Sequence, residues 1–193
     1  MPRLFTGLEI PRDVGFELSL MRGGVRGARW IEADAYHITL RFIGDIGDGL
    51  AHDVAHGLDA VAAPAFAIRL KGVGAFGGRK PRLIYAGVAE CPELMRLQAA
   101  HERLLQRLGL EGEGRKFCPH VTLARLGAAD PASVQTYVAA HNLYASRPIE
   151  VGRFVLFSSR PSRGGGPYAA EESYLLGDGQ RLIPADYATL EDE

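Results

Sequence analysis

Two tetrapeptides, His37-Ile38-Thr39-Leu40 and His120-Val121-Thr122-Leu123, recur 83 positions apart (120 minus 37), each inside a short apolar run that reads as a β-strand. Side chains alternate between the two faces of a strand, so each His shares a face with its Thr while Ile38, Leu40, Val121 and Leu123 face the core. With six His and five Thr in 193 residues, about 0.16 His-x-Thr pairs are expected by chance, which puts two such pairs at a probability of ~0.01. The repeat therefore constrains the chain to present two imidazole–hydroxyl pairs on matched strands.

The spacing around the motifs repeats as well. Strand Arg3 to Ile10, a helix opened by Pro11, motif strand Tyr36 to Ile43, a helix marked by Leu50, Val54, Leu58 and Val61, and strand Phe66 to Val73 form one series. Strand Arg82 to Val88, a helix opened by Pro92 and closed at Gly109, motif strand His120 to Leu126, a helix begun by Asp130-Pro131, and strand Ile149 to Phe157 form the other, with Tyr174 to Leu176 as a last strand. Such internal similarity marks a duplicated unit. The predicted fold class is α+β: two pseudo-symmetric lobes, roughly 1–78 and 79–177, with mostly antiparallel sheets facing a central cleft, helices outside, and a tail at 178–193. The whole of 1–193 is read as a single domain.

Composition narrows the function. A formal charge of −1 and a pI near 6.6 argue against a non-specific nucleic-acid coat, so any nucleic-acid contact is local. Cys91 and Cys118 are the only cysteines, read as reduced structural residues. No apolar run approaches the ~18 residues a membrane helix needs, and the chain opens on a strand, so a cytoplasmic protein without a membrane partner is expected.

One imidazole alone is usually a satisfied core histidine; two at matched positions can act as base and acid in line with one phosphorus atom. The Thr39 and Thr122 hydroxyls then donate to the non-bridging oxygens, and no metal or other cofactor is required. At these residues the chain resembles the 2H phosphoesterases, named for two His-x-Thr-x motifs in a two-lobed fold. It is most similar to the bacterial and archaeal RNA 2′,3′-cyclic phosphodiesterases, also called 2′-5′ RNA ligases, in Arg3-Leu4-Phe5, in His37-Ile38-Thr39-Leu40-Arg41-Phe42-Ile43-Gly44 and in Pro119-His120-Val121-Thr122-Leu123-Ala124-Arg125. The resemblance implies RNA with 2′,3′-cyclic phosphate ends, or cyclic nucleotides, as substrate and a 2′-phosphomonoester as product. It further implies His37 as proton donor to the departing O3′ and His120 as the base that activates water; a monomer is expected.

Arg125 follows the second motif, where the family Arg contacts the phosphate. Strict alternation puts it opposite His120, so this role requires a bulge or the strand's end; the alternative is a surface Arg. Arg41 shares the face of His37 by alternation and is a second candidate for the anion, against a solvated Arg at a strand end. The segment Arg160 to Tyr168 reads either as a basic lip with an aromatic stacking residue or as a long hairpin connection. His52 and His56, four apart on a helix, lack the Glu of the metalloprotease motif and a third ligand, and His101 and His141 read as structural. Rival readings are a ligase or a phosphodiesterase on another cyclic or 2′-linked nucleotide, a module that holds RNA ends without turnover, and a metallohydrolase.

Overall fold

The computed structural model describes residues 3–159 and 168–177. Among these, seven strands form one path of an antiparallel sheet whose centre is the pair of motif strands. These are β1 (Arg3–Glu9), β3 (His37–Gly44), β5 (Leu70–Phe76), β6 (Leu83–Val88), β7 (His120–Leu126), β9 (Arg153–Ser159) and β10 (Tyr168–Leu175), in the order β10-β9-β1-β3-β7-β6-β5. The short β2 (Ala28–Trp30) also pairs with β7, while β4 (Phe66–Ile68) and β8 (Ile149–Val151) make a separate two-stranded sheet. Four helices accompany them: α1 (Arg12–Ser19), α2 (Asp48–Leu58), α3 (Pro92–Arg107) and α4 (Pro131–His141). Among the described residues no helix is long and apolar enough to cross a membrane.

The duplication is visible in the register. The motif strands pair at one position, Ile38 opposite Val121, and the small sheet is centred on Ala67 opposite Glu150. Both pairs are 83 positions apart (121 minus 38, 150 minus 67), the offset of the motif repeat. An antiparallel pair of equivalent residues marks a local two-fold, so one pseudo-symmetry relates the motif strands and the strands of the small sheet. The chain halves 1–78 and 79–177 exchange strands across it. β5 of the first half pairs with β6 of the second, and β9 of the second half pairs with β1 of the first. Each repeat thereby supplies a strand to the other's part of the sheet, which ties the two parts into one framework.

Two of the expected strands are each divided in two. The run from Phe66 breaks at Arg69 into β4 and β5, and the run from Ile149 breaks at Gly152 into β8 and β9. Matched breaks let one apolar run serve both the small sheet and the large one, β5 at its edge and β9 between β10 and β1. Helix signals hold closely. Asp130 caps α4 by accepting from the Ala132 and Ser133 amides, and Gly109, at φ 89°, follows the C-terminus of α3 in the left-handed conformation open to glycine. The core lies between the sheet and the helices, where Leu94, Leu97 and Leu105 of α3 and Val14 and Leu18 of α1 are buried with Ile38, Leu40, Val121 and Leu123. The alternation expected of the motif strands therefore holds as far as Leu40 and Leu123.

Candidate active site

Because Ile38 and Val121 are fully buried where the motif strands pair, the residues flanking them, His37, Thr39, His120 and Thr122, project to the opposite face and are half-buried there. Both histidines are held in the same way. His37 Nδ1–H donates to the Ala35 carbonyl at 2.9 Å, and His120 Nδ1–H donates to the Cys118 carbonyl at 2.7 Å, each bond reaching two residues back. A carbonyl can only accept, so Nδ1 carries the hydrogen and Nε2 is left to act. A neutral ring then offers a lone pair at Nε2, and a charged ring offers a proton there.

The two rings lie in different surroundings. His37 stands among aromatic rings, with centroid distances of 5.0 Å to Phe5, 4.7 Å to Tyr168 and 6.0 Å to Phe157. His120 meets Phe76 at 5.1 Å and Tyr85 at 5.5 Å. Gly74 makes room for Tyr85: a Cβ there would lie 2.6 Å from the Tyr85 ring. Burial holds the His37 pKa below the ordinary histidine range; the bond to Ala35 opposes this, and the charges of His120 and Arg125 reinforce it.

Both motif strands contain a bulge just after the motif. Along β3, Thr6 and Gly7 of β1 face Arg41 and Thr39, leaving Leu40 as the extra residue; along β7, Ile84 and Tyr85 of β6 face Ala124 and Thr122, leaving Leu123 extra. Two consecutive residues are then buried in each strand, Leu40 with Arg41 and Leu123 with Ala124, and the next side chain turns to the face of the histidines. That side chain is Arg125 in β7, which the bulge turns to the face of the histidines. In β3 it is Phe42, 58% exposed and 5.9 Å from Phe5.

The same bulge overturns the expectation for Arg41. Its guanidinium points to the helix side, where Nε donates to Glu102 of α3 at 2.5 Å and the remaining nitrogens reach the carbonyls of Phe42 and Glu111. Arg41 is a buried structural cation and does not face the histidines. With Ile43 and Leu110 to Glu113 it lines a cavity of about 360 Å³ to which no motif residue contributes.

Cys91 and Cys118 are both free, as expected, but only Cys91 is buried; Cys118 is exposed in the segment before β7, and its part is the carbonyl that holds His120. His52 and His56 lie on α2, and among the described residues no group of three or more His, Cys, Asp or Glu is placed to hold a metal ion. His101 is buried in α3, and His141 stacks on Tyr137 at 4.3 Å. Tyr168, the last residue of the expected basic lip, opens β10 against His37, while 160–167 and the expected tail at 178–193 lie outside the described residues. Arg29 was not singled out by the sequence. It stands opposite Arg125 in the β2–β7 pairing, and only that register reveals it.

A duplicated α+β sheet carrying paired His-x-Thr strands defines the fold class, and solved structures share it. A Thermus thermophilus protein superposes with a TM-score of 0.76 at 24% identity, covering 92% of this chain and 100% of that one. E. coli LigT, solved with 3′-AMP, gives 0.74 at 21% identity, covering 92% and 100%. The family follows from sequence: the profile of the 2′-5′ RNA ligase superfamily matches residues 22–162, and the chain belongs to that superfamily. The RNA 2′,3′-cyclic phosphodiesterase of Aquifex aeolicus is 30% identical over 154 residues, 77% of this chain and 82% of the relative. That of Aeropyrum pernix is 39% identical over 101 residues, 51% of this chain and 57% of the relative, so the match spans little more than half of the latter's length.

Proposed function

We propose that the protein hydrolyses 2′,3′-cyclic phosphate ends of RNA to 2′-phosphomonoesters with His37 and His120 as acid and base. The observation that carries this reading is the identical tethering of the two imidazoles: each Nδ1 is tied to a backbone carbonyl, and both Nε2 atoms serve one face of the sheet. Neutral His120 takes a proton from water as its oxygen attacks phosphorus, and charged His37 gives its Nε2 proton to O3′ as the P–O3′ bond breaks. Phosphate remains on O2′. Thr39 and Thr122 donate hydrogen bonds to the non-bridging oxygens, and Arg125, brought to this face by its bulge, balances their charge.

The chain's superfamily and relatives named RNA 2′,3′-cyclic phosphodiesterase support the substrate class. Attack by the 5′-hydroxyl of a second RNA in place of water is the corresponding joining reaction. We also infer that 1–193 works as one domain and as a monomer in a reducing cytoplasm, to which the free thiols of Cys91 and Cys118 are suited.

The test is product analysis on an oligonucleotide ending in a 2′,3′-cyclic phosphate, with EDTA present. A 2′-phosphate product resistant to a 3′-specific phosphatase is expected. Release of inorganic phosphate by that enzyme would exchange the roles of His37 and His120, and loss of turnover in EDTA would establish a metal requirement.

A further inference from the structure

The two sides of the site differ in a way the phosphodiesterase reading alone does not use. Beyond Val121, β3 no longer pairs with β7, and β2 takes over the same edge: Ala28 faces Leu126, Arg29 faces Arg125 and Trp30 faces Ala124. Residues directly opposite in an antiparallel pair project to one face with their Cβ atoms close together. Trp30 packs on Tyr137 of α4, at 5.3 Å, so its neighbour Arg29 projects with Arg125 to the face of the histidines. Both arginines are exposed.

Two guanidinium groups set opposite one another across a strand pair give that face two donors suited to phosphate oxygens. The pseudo-symmetry sharpens the point. The positions 83 residues away from Arg29 and Arg125 are Gly112 and Phe42 (112 minus 29, 125 minus 42), neither of them cationic. A duplicated framework thus carries two guanidinium groups beside one motif and an exposed aromatic ring beside the other. One phosphate is matched by Arg125 and the two motif hydroxyls. A second guanidinium at the next strand suits a second phosphate.

Resting on the reading of the site as an RNA cyclic phosphodiesterase, we propose that Arg29 is a specificity-determining residue. It binds the phosphodiester on the 5′ side of the terminal nucleotide while Arg125 attends the reacting phosphate. The protein then selects RNA chains over free cyclic mononucleotides through a contact that a mononucleotide does not offer. Backbone phosphates of this kind fix register without reading sequence.

The experiment compares Arg29→Ala and Arg29→Lys with wild type on two substrates, a 2′,3′-cyclic mononucleotide and a dinucleotide ending in a 2′,3′-cyclic phosphate, which adds one phosphodiester. Loss of a charge-assisted contact should lower kcat/KM for the dinucleotide about 10-fold or more in Arg29→Ala, with the mononucleotide changed less than about 2-fold. Arg29→Lys should recover part of the loss. The fall of kcat/KM for the dinucleotide with rising salt should be shallower in Arg29→Ala than in wild type. Equal losses on both substrates, or no loss on either, overturn the proposal.

Binding of the corresponding 2′-phosphate products, followed by fluorescence, gives an arm free of turnover. A wild-type preference for the dinucleotide that Arg29→Ala removes supports the seat even where neither substrate is hydrolysed; absence of that preference rejects it. Failure of wild type to turn over either substrate would instead reject the phosphodiesterase reading.

Discussion

His101 gives the fold an acid-sensitive point that can be measured apart from activity. Its side chain is fully buried in α3, with Nδ1–H donating to the Leu97 carbonyl at 2.8 Å and the ring edge-on to Phe154 at 4.5 Å. Nε2 is buried without a partner among the described residues. A charged ring would hold an unpaired N–H away from water, and burial pushes the pKa down to about 4, against about 6.5 for an exposed imidazole in the unfolded chain. The folded state binds the proton more weakly than the unfolded state. Stability from the neutral ring is therefore complete above about pH 6.5 and is lost as pH falls towards about 4. At about 1.36 kcal/mol per pKa unit the full loss is about 3 kcal/mol, of which about 2 kcal/mol is gone by pH 5. Urea unfolding of wild type and His101→Leu at pH 8, 6 and 5 isolates this contribution, because the other titrating groups are common to both. Wild type should lose about 2 kcal/mol more than the variant between pH 8 and pH 5. Parallel curves, within about 0.5 kcal/mol, would refute the argument that His101 is held neutral by its burial.

His37→Ala and His120→Ala should each lower turnover at least ~10²-fold while the fold survives; more than about a tenth of wild-type rate in either variant removes that residue from the acid/base pair. Thr122→Val should lower kcat/KM by ~10- to 10³-fold, and an unchanged value excludes the hydroxyl from the site. His37 is held low in the free protein, first by burial and also by His120 and Arg125, and a bound phosphodiester anion pulls its pKa up. Since an acid must carry its proton, the alkaline limb of kcat should lie at higher pH than that of kcat/KM; a limb that moves down on binding counts against His37 as the donor. Arg41→Ala removes the cation paired with Glu102 and should cost about 3 kcal/mol of stability by urea unfolding, with kcat/KM of the folded protein within about 3-fold of wild type. A catalytic loss at unchanged stability would return Arg41 to the site.

The motif pairs, their strands and their order were legible because each rests on a local rule: alternation puts His with Thr, Asp130-Pro131 starts α4, and Gly109 ends α3. What escaped the sequence depends on a partner strand. Leu40 is the extra residue only relative to Thr6 and Gly7 of β1, and nothing in His-Ile-Thr-Leu-Arg-Phe announces that the alternation slips there. One slipped residue exchanges the faces of Arg41 and Phe42. The same slip in β7 turns Arg125 to the face of the histidines, so a single structural device decides the faces of both arginines. Arg29 was invisible for the same reason, since its neighbour lies 96 positions away (125 minus 29) and only pairing joins them.

Duplication and divergence then have separate physical roles. The pseudo-two-fold fixes what must be equal: two strands meeting at Ile38 and Val121, two Nδ1 tethers to carbonyls two residues back, and two bulges that present a side chain just past each motif. The side chains at those presented positions fix what must differ. An in-line displacement needs one imidazole charged and the other neutral, and a symmetric cleft offers no reason for either choice. Here the aromatic wall of Phe5, Phe157 and Tyr168 encloses His37 and favours its neutral form until an anion binds, whereas Arg125 stands on the second strand, past His120. The outward-turned position is a cation, Arg125, on the second strand and an exposed aromatic ring, Phe42, on the first. Divergence at the positions that the shared bulge turned outward is therefore the feature of this fold that distinguishes one side of the site from the other.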